Sequence, residues 1–161
     1  MDPTQKSDYN SLSQKYDLIR TVNTANLNLL VSKSKITGKS RVLDFGSGTG
    51  NYACAIKELT GADISGVEPS DGMREKAVAK NPSITFAKGD HNGIPFGDNS
   101  FDFAYMTDVI HHVPDIKAMF TELYRVLKPG GLLCIVTESH SQIEKRFWSP
   151  YFPGTVTANK A

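Results

Sequence analysis

The amino-acid sequence predicts an α/β fold in which a parallel sheet carries helices on both faces. Three observations predict it. Short apolar runs of strand length alternate with segments of helical periodicity. The first run ends in a glycine-rich turn, and a Pro-Gly-Gly sequence separates the clearest helix from the last run. Strands that alternate with helices are joined by right-handed crossovers, so we expect a doubly wound, mostly parallel sheet of order 3-2-1-4-5.

Five segments have the composition of β-strands. They are residues 41–45, 63–67, 83–87, 101–106 and 132–136. The last of them, LLCIV, is apolar throughout, which is typical of a strand buried on both faces. In a sheet of this order, ligands bind outside the carboxyl ends of the strands, beside strand 1.

The first helix is predicted from a stripe of apolar residues. A helical pattern begins at Leu18, and its apolar positions fall on one stripe, formed by Leu18, Val22, Ala25 and Leu29. Residues 34–40 then form a linker of lysine, serine and glycine.

Two further helices are marked by their ends. Residues 52–59 have helical periodicity and are followed by Gly61 in the usual position of a helix C-cap. Ser70 is a suitable N-cap for a helix that runs to about Lys80 and stops at Asn81-Pro82.

The clearest helix precedes the fifth strand. Pro114-Asp115 opens it and Pro129-Gly130-Gly131 closes it. We expect its side chains Met119, Phe120, Leu123 and Leu127 to lie in the core. The apolar positions of this helix are Ile116, Met119, Phe120, Leu123, Val126 and Leu127.

Composition and charge exclude several classes of protein. At 161 residues the chain is long enough for one domain with a core. Its 18 basic and 17 acidic residues leave a net charge of +1, which disfavours nucleic acid as a partner. No apolar run could span a membrane, no signal peptide is present, and two cysteines cannot form a disulfide framework, so we expect a cytoplasmic protein. The oligomeric state stays open.

A glycine-rich turn follows the first predicted strand. Gly46, Gly48 and Gly50 alternate in a G-x-G-x-G pattern, and glycine allows sharp turns and close approach of the backbone to a ligand. Asn51 stands where a dinucleotide fingerprint has its third glycine, and a P-loop lysine is absent, so neither motif is met. A tight turn without a ligand remains an alternative at this point.

Acidic residues follow the next two strands. Glu68 comes after strand 2, 20 residues beyond Gly48, where a carboxylate can accept from both hydroxyls of a ribose. Asp90-His91 comes after strand 3, where a carboxylate could hold an exocyclic amine such as that of adenine. A solvated glutamate and a turn-forming aspartate are the alternatives.

Four stretches occur in order between residues 42 and 131: VLDFGSGTG, GVEPS, GDHNGIPFGDNSFDFAYMTDVIHHVPD and ELYRVLKPGG. Together they resemble the class I S-adenosylmethionine-dependent methyltransferases, and most closely the small-molecule branch that includes the ubiquinone and menaquinone biosynthesis methyltransferases. Tyr16-Asp17 also resembles the N-terminal entry segment of that family. The resemblance implies a Rossmann-like fold, S-adenosylmethionine as cofactor and S-adenosylhomocysteine as product.

The resemblance assigns one group of residues to the methionine part of the cofactor. Asp44 and the turn residues Gly46, Ser47 and Gly48 would hold its amine and carboxylate. Thr107, just beyond strand 4, would lie under the same part.

A second group is assigned to the nucleoside. Glu68 would take the ribose hydroxyls, and Pro69 and Met73 would pack near the adenine. Asp90 and the backbone of His91 would bind the adenine edge. Tyr16 would cover the cofactor, although packing against a helix is an equal alternative for this side chain.

The chain divides into three predicted parts. Residues 1–17 form an entry or lid segment, residues 18–138 form the S-adenosylmethionine-binding domain, and residues 139–161 form an incomplete C-terminal segment. The family continues into two more strands at the sheet edge, and we expect this chain to lack them. We therefore expect a methyltransferase, with a cofactor-binding fragment or regulatory module without a working acceptor site as the alternative.

For methyl transfer, a protein needs to supply little beyond alignment of the methyl donor with the acceptor and a pocket that excludes water. Where the acceptor must lose a proton, Asp108, His111 and His112 are candidate bases, because histidine titrates near neutral pH. A structural role for the two histidines stays open. No metal site is predicted, because no further His/Cys cluster accompanies this pair. Cys54 and Cys134 are predicted to pack in the core.

The absence of two motifs narrows the range of possible methyl acceptors. The sequence after strand 4 lacks the N/D-P-P-Y/F motif of amino-directed DNA methyltransferases, and no Pro-Cys nucleophile is present. The G-x-G-x-G spacing also disfavours a dehydrogenase. A small organic molecule is the predicted acceptor.

Overall fold

The computed structural model describes residues 21–138, which form a five-stranded sheet with four α-helices. The predicted segments 1–17 and 139–161, with Tyr16, lie outside the described residues. In chain order the elements are α1 (Thr24–Ser34), β1 (Arg41–Phe45), α2 (Asn51–Thr60), β2 (Asp63–Val67), α3 (Asp71–Lys80), β3 (Thr85–Ala87), β4 (Phe101–Thr107), α4 (Ile116–Val126) and β5 (Leu127–Val136), with a 3-10 turn (Ile110–His112) between β4 and α4.

The sheet has the predicted order, β3-β2-β1-β4-β5, and every pair of neighbouring strands is parallel. The α/β, Rossmann-like prediction is therefore confirmed. Chain order reverses between β1 and β4, and a crevice opens at such a point because the following crossovers leave on opposite sides of the sheet.

Helices cover both faces of the sheet. On one face α1 and α2 pack against Val42, Ile64 and Tyr105, and on the other α4 packs through Met119 against Leu43. Each of these side chains is almost fully buried. Burying an aliphatic or aromatic side chain of this size contributes roughly 1.5–3 kcal/mol, so these two layers fix the central strands firmly.

The capping signals locate α2 and α3 correctly. Gly61 ends α2 with φ 70°, and its N–H donates to the carbonyl of Lys57. The Ser70 hydroxyl accepts from the N–H of Met73 at 3.3 Å and begins α3, which ends at Lys80. Capping works here because each side chain or positive φ satisfies backbone groups that a helix end leaves unpaired.

The prediction for the first helix is wrong for residues 21–23, which are not helical, and for Ala25 and Leu29, which are exposed, whereas Val22 packs partly buried against the core. Leu18, its predicted first residue, lies outside the described residues. Residue 22 precedes the helix, and Asn23 caps it by accepting from the N–H of Asn26. Leu27 and Leu30 are the buried side chains, whereas Leu29 is exposed. The cap at Asn23 fixes where the helix begins, and packing of Leu27 and Leu30 in the core leaves Leu29 on the solvent side.

The end of α4 and the start of β5 also differ from prediction. Leu127 begins β5, and Phe120 is 41% exposed, so neither completes a buried helix stripe. The strand register jumps from the Phe101–Leu127 pair to the Phe103–Leu132 pair, which bulges the Pro-Gly-Gly sequence out between them. Gly130 has φ 78° in this bulge.

The fifth strand is not buried on both faces as its composition predicted. Residues 133–136 are half-buried, and Leu132 is exposed. β5 forms one edge of the sheet within residues 21–138. In the same part of the chain, none of the helices combines the length and apolar character that crossing a membrane requires.

Candidate active site

A cavity opens at the carboxyl ends of the strands, beside the switch point between β1 and β4. Its walls come from the glycine turn after β1, the segments after β2 and β3, and the loop after β4. Eight of the eleven residues predicted to bind the cofactor line it: Gly46, Gly48, Glu68, Pro69, Met73, Asp90, His91 and Thr107.

The glycine turn is held against the end of β2. The N–H groups of Gly46 and Ser47 both donate to the carbonyl of Val67, at 2.8 and 3.0 Å. All three alternating glycines have positive φ, which L side chains adopt only with strain. The backbone of the turn therefore has a fixed shape and presents no Cβ atom to the cavity at Gly46 or Gly48.

Glu68 connects three parts of the site. Its carboxylate accepts from the N–H of Gly48 at 3.0 Å and from the N–H of Ser70 at 2.9 Å. The residue is only 7% exposed, and burial raises the pKa of its carboxyl, although the two backbone donors and Arg74 oppose the rise. The Glu68 carboxylate thus lies at the cavity wall, where two backbone N–H groups use part of its capacity to accept hydrogen bonds and leave other lone pairs for a ligand.

Arg74 supports the backbone on which Glu68 lies. Its guanidinium donates to the carbonyl of Glu68 at 3.0 Å and to that of Pro69 at 3.3 Å. It also pairs with the carboxylate of Asp71 in the first turn of α3. The turn after β2 is consequently braced from the helix that follows it.

Asp44 and Ser47 lie behind the glycine turn and do not line the cavity. Asp44 is 2% exposed, and burial raises the pKa of its carboxyl to about 7, with the neighbouring Tyr105 hydroxyl opposing the rise and Glu68 adding to it. Asp44 Oδ2 and Ser47 Oγ are buried without a hydrogen-bond partner. Unpartnered buried polar atoms are costly, so this side of the turn is chemically unsatisfied.

The segment after β3 forms a tight turn at the cavity. Asp90 and Gly93 exchange backbone hydrogen bonds, and Asp90 Oδ1 accepts from the N–H of Asn92 at 2.8 Å. Asp90 therefore does form a turn, the alternative role considered for it, while still lining the cavity. Glu122 and Arg125 of α4 hold the next residues, through the N–H and the carbonyl of Ile94.

The loop after β4 closes the other side of the cavity. Asp108 has φ 56°, an uncommon conformation for a residue other than glycine, and its N–H donates to the carbonyl of Val136 at 2.8 Å. His112 lines the cavity but His111 does not, although their ring centroids are 4.0 Å apart. Of the three candidate bases, Asp108 and His112 thus face the cavity.

Sequence reasoning missed most of the apolar wall. Val109, Val113 and Pro114 line the cavity beside His112, and Phe45 and Val67 line it from the strand ends. Their positions at and after the strand ends could have predicted this, because residues that follow β1, β2 and β4 meet at the switch point of the sheet.

The two cysteines are half-buried and pack against the core, as predicted, and burial is the main cause that raises the pKa of each thiol. Among residues 21–138, no group of three or more histidine, cysteine or acidic side chains could hold a metal ion.

Most of the sheet and every residue that lines the cavity belong to a segment that matches a known family. Residues 43–135 match the family model described as the methyltransferase domain. The chain belongs to the class I S-adenosylmethionine-dependent methyltransferases. Its cofactor is therefore S-adenosylmethionine.

Relatives in this methyltransferase family differ in how much of them the chain matches. A sterol 24-C-methyltransferase of Pneumocystis carinii is 40% identical over 97 residues, which cover 56% of this chain and 26% of the relative. A demethylmenaquinone methyltransferase of Staphylococcus epidermidis is 30% identical over 156 residues, which cover 89% of this chain and 65% of the relative. The chain thus spans between about a quarter and two thirds of the length of these relatives.

The fold of the methyltransferase domain also agrees with a solved structure. Phosphoethanolamine N-methyltransferase 2 of Haemonchus contortus, in complex with S-adenosyl-L-methionine, superimposes with a TM-score of 0.72 at 24% identity. The superposition covers 94% of this chain and 37% of that protein. At this identity the likeness shows the shared fold alone.

Proposed function

We propose that this chain binds S-adenosylmethionine in the cavity at the carboxyl ends of β1, β2 and β4 and transfers its methyl group to a small organic molecule. The observation that carries the proposal is the buried Glu68 carboxylate at the cavity wall, joined to the glycine turn through the N–H of Gly48. A fixed acceptor beside a backbone without Cβ atoms fits a ribose bound close to the turn.

The nucleoside end of the cofactor would lie between β2 and β3. Glu68 would accept from the ribose hydroxyls through lone pairs that Gly48 and Ser70 do not use. Pro69 and the buried Met73 offer apolar surface for the adenine, and the turn at Asp90 lies next to them in the wall of the same cavity.

The methionine end would lie at the glycine turn. Gly46 and Gly48 line the cavity there and let the ligand approach the backbone closely. The Asp44 carboxyl lies buried behind this turn, and the positive charge of the ammonium in front of it would stabilise its ionised form.

The cofactor, when bound, supplies a methyl group on a positively charged sulfur. The chain's own contribution would be alignment and exclusion of water by Val109, Val113 and Pro114 of the loop after β4. His112 and Asp108 lie in the same wall and could take a proton from the acceptor.

The acceptor is proposed to be a largely apolar molecule. The apolar residues of the loop after β4 support this, because an apolar wall gains little from a charged or strongly hydrated ligand. The relatives named for a sterol and for demethylmenaquinone are consistent with it. We propose the cytoplasm as the compartment, on the basis of two half-buried free thiols.

Calorimetry with S-adenosylhomocysteine tests the cofactor site, with NAD as the comparison ligand. We expect S-adenosylhomocysteine to bind and NAD to give no heat of binding. The Gly48→Val variant should lose this binding, because a branched Cβ atom at a positive φ blocks approach to the turn. Binding of NAD in preference to S-adenosylhomocysteine would refute the proposal.

Methyl transfer is tested separately from cofactor binding. Cofactor labelled in its methyl group is incubated with the chain and a lipid or metabolite extract, and the label is followed into the products. Label in an apolar product supports the proposed acceptor. Binding without transfer would favour the alternative, a cofactor-binding module without a working acceptor site.

A further inference from the structure

The connection between β3 and β4 forms one wall of the cavity. Residues 88–100 make this connection without forming a helix or a strand. Gly89, Asp90 and His91, in its first part, line the cavity, and its second part lies against α4. A segment without regular secondary structure has few backbone bonds of its own, so the groups that hold it determine how well this wall is ordered.

Gly93, Ile94 and Pro95 form the layer behind that wall. Asp90 and Gly93 exchange backbone hydrogen bonds at 3.2 and 3.3 Å. A Cβ atom added to Gly89 would be 2.6 Å from the carbonyl oxygen of Gly93 and 2.7 Å from Pro95 Cδ. The wall therefore rests directly on these residues, and a displacement of Ile94 would displace Asp90 and Gly89 with it.

Glu122 and Arg125 of α4 clamp the backbone of this layer. The Glu122 carboxylate accepts from the N–H of Ile94 at 2.8 Å, and Arg125 donates to the carbonyl of Ile94 at 2.9 Å. Another nitrogen of Arg125 donates to the carbonyl of Phe96 at 2.9 Å and to the carboxylate of Asp98 at 2.8 Å. The guanidinium and the Glu122 carboxylate also bond to each other at 2.9 and 2.7 Å, which holds both side chains in place.

The clamp fixes what apolar packing leaves undetermined. The Ile94 side chain is almost fully buried in the core, which holds the segment against the sheet. The direction of its backbone depends on the bonds to Glu122 and Arg125, and that direction decides where Asp90 lies. A guanidinium suits this task because its donors form a rigid planar fork, so one side chain can hold two carbonyls at once.

We propose that Arg125, together with Glu122, is a positioning residue for the cofactor site, because it clamps Ile94 and Phe96 to α4 and so keeps the turn at Asp90 in the arrangement that binds adenine. The proposal rests on the proposed function, in which the adenine lies beside this turn. Neither Arg125 nor Glu122 lines the cavity, so both act through the segment and not by contact with the ligand.

The order of the turn in the protein without ligand gives the first readout. Arg125→Met removes the donors and keeps an unbranched side chain, and Lys117→Met removes a positive charge from an exposed position of the same helix as the control. Nitrogen-15 relaxation measures the order parameters of the Asp90 and Gly93 amides. We expect about 0.85 in wild type and in Lys117→Met, and less than about 0.6 in Arg125→Met. The Gly48 amide, which Glu68 holds, should stay ordered in all three proteins.

Two conservative variants keep the test decisive if Arg125→Met does not fold. Arg125→Lys keeps the positive charge, but an ammonium lacks the planar fork, so the turn should lose order as in Arg125→Met. Glu122→Gln keeps an acceptor for the Ile94 N–H and loses the ion pair, so its loss of order should be smaller. A turn that keeps its wild-type order in Arg125→Lys overturns the role of the planar clamp.

The preference between two ligands gives the second readout. S-inosylhomocysteine has an oxygen in place of the adenine amine of S-adenosylhomocysteine, so only the latter can donate to Asp90 from that position. If the turn keeps its binding arrangement about a tenth of the time, Kd for S-adenosylhomocysteine rises about tenfold, whereas S-inosylhomocysteine loses little. The preference should therefore fall about tenfold in Arg125→Met and stay the same in Lys117→Met. A general loss of stability would raise both Kd values by the same factor.

The two readouts separate this proposal from the proposed function. Order parameters that stay at the wild-type level in Arg125→Met overturn the clamp, whatever the ligands do. Loss of order at Asp90 supports the clamp even if wild-type protein fails to bind S-adenosylhomocysteine, a result that would overturn the proposed function alone. Loss of order with an unchanged preference between the two ligands overturns the link between the clamp and the adenine.

Discussion

The side chain of Val109 lies directly over Gly46, so closely that a Cβ atom added to Gly46 would be 2.5 Å from Val109 Cγ2. This contact joins the glycine turn after β1 to the loop after β4. The first of these elements is proposed to hold the cofactor and the second to face the acceptor. Glycine at position 46 is therefore needed both for its positive φ, 74°, and for the space above it.

We expect Gly46→Ala to destabilise the protein by about 2–4 kcal/mol, as the sum of backbone strain and the collision with Val109. Thermal or urea unfolding measures the loss. Adding Val109→Ala should restore part of it, because the colliding methyl groups are removed.

Substitutions at two other glycines separate the loss of stability due to backbone strain from the loss due to the collision with Val109. Gly130 has a similar φ, 78°, but no atom within 4 Å of an added Cβ, so Gly130→Ala measures strain without collision. Gly93 also has open space and does not have positive φ, so Gly93→Ala should be nearly neutral. Equal losses at 46 and 130, with no rescue by Val109→Ala, would show that the contact with Val109 is unimportant.

Replacement of Glu68 should weaken cofactor binding. Glu68→Ala removes the proposed acceptor for the ribose hydroxyls, which should cost about 1–3 kcal/mol of binding free energy. It also leaves the N–H groups of Gly48 and Ser70 without their acceptor, which lowers the stability of the fold rather than the affinity. Glu68→Gln keeps the shape and one acceptor oxygen, so we expect a smaller loss. Calorimetry with S-adenosylhomocysteine measures both.

The exposed Glu75 of α3 offers a matched control for this change. Glu75→Gln removes the same charge close by and should leave the affinity unchanged. If folded Glu68→Ala protein binds S-adenosylhomocysteine as tightly as wild type, Glu68 has no part in the site.

The fold was predictable from the sequence because its signals are local. Strand length, a glycine cap at Gly61 and a serine cap at Ser70 each act within a few residues, and they set β1, α2, β2 and α3 closely. The start and the buried face of α1 were not predictable, because the apolar stripe in the sequence runs across the cap at Asn23, and the face that packs is set by distant elements of the core. The bulge at the start of β5 depends on pairing with β4, which a linear pattern does not contain.

The residues of the site that follow strand ends were predictable from the sequence, whereas the cross-strand pair behind the turn was not. Gly46, Gly48 and Glu68 follow strand ends and meet because parallel strands end at one edge of the sheet. Asp44 is paired with Tyr105, which lies 61 residues away and becomes its neighbour only through the β1–β4 register. Cross-strand register is a tertiary property, so the pair has no signature in the sequence.

Asp44 should make the stability of the protein depend on pH. Its pKa is raised from 3.8 to about 7 in the folded state, so the folded state binds a proton more tightly than the unfolded chain. The resulting stability is complete below about pH 4 and is lost as pH rises to about 7. At about 1.4 kcal/mol per pKa unit, the loss is on the order of 4 kcal/mol at most.

Asp44→Asn removes this titration. We expect the variant to be more stable than wild type at pH 8 and nearly equal to it at pH 4, as measured by urea unfolding at each pH. It should bind S-adenosylhomocysteine more weakly at pH 8, because a neutral amide behind the turn lacks the negative charge that would attract the ligand's ammonium. A wild-type stability that is flat between pH 4 and 7 would contradict the assignment of the raised pKa to Asp44.

The last prediction concerns the two histidines of the 3-10 turn. His112 lines the cavity and His111 does not, so only His112 can contact an acceptor bound there. If His112 removes a proton from the acceptor, His112→Ala should lower turnover by about 10²–10⁴-fold while the affinity for S-adenosylhomocysteine stays the same. His111→Ala changes the neighbouring ring, whose centroid is 4.0 Å away, and serves as the matched control with near-normal turnover. Full turnover in His112→Ala would mean that alignment alone carries the transfer, whereas equal losses in both variants would assign the pair to the structure of the loop.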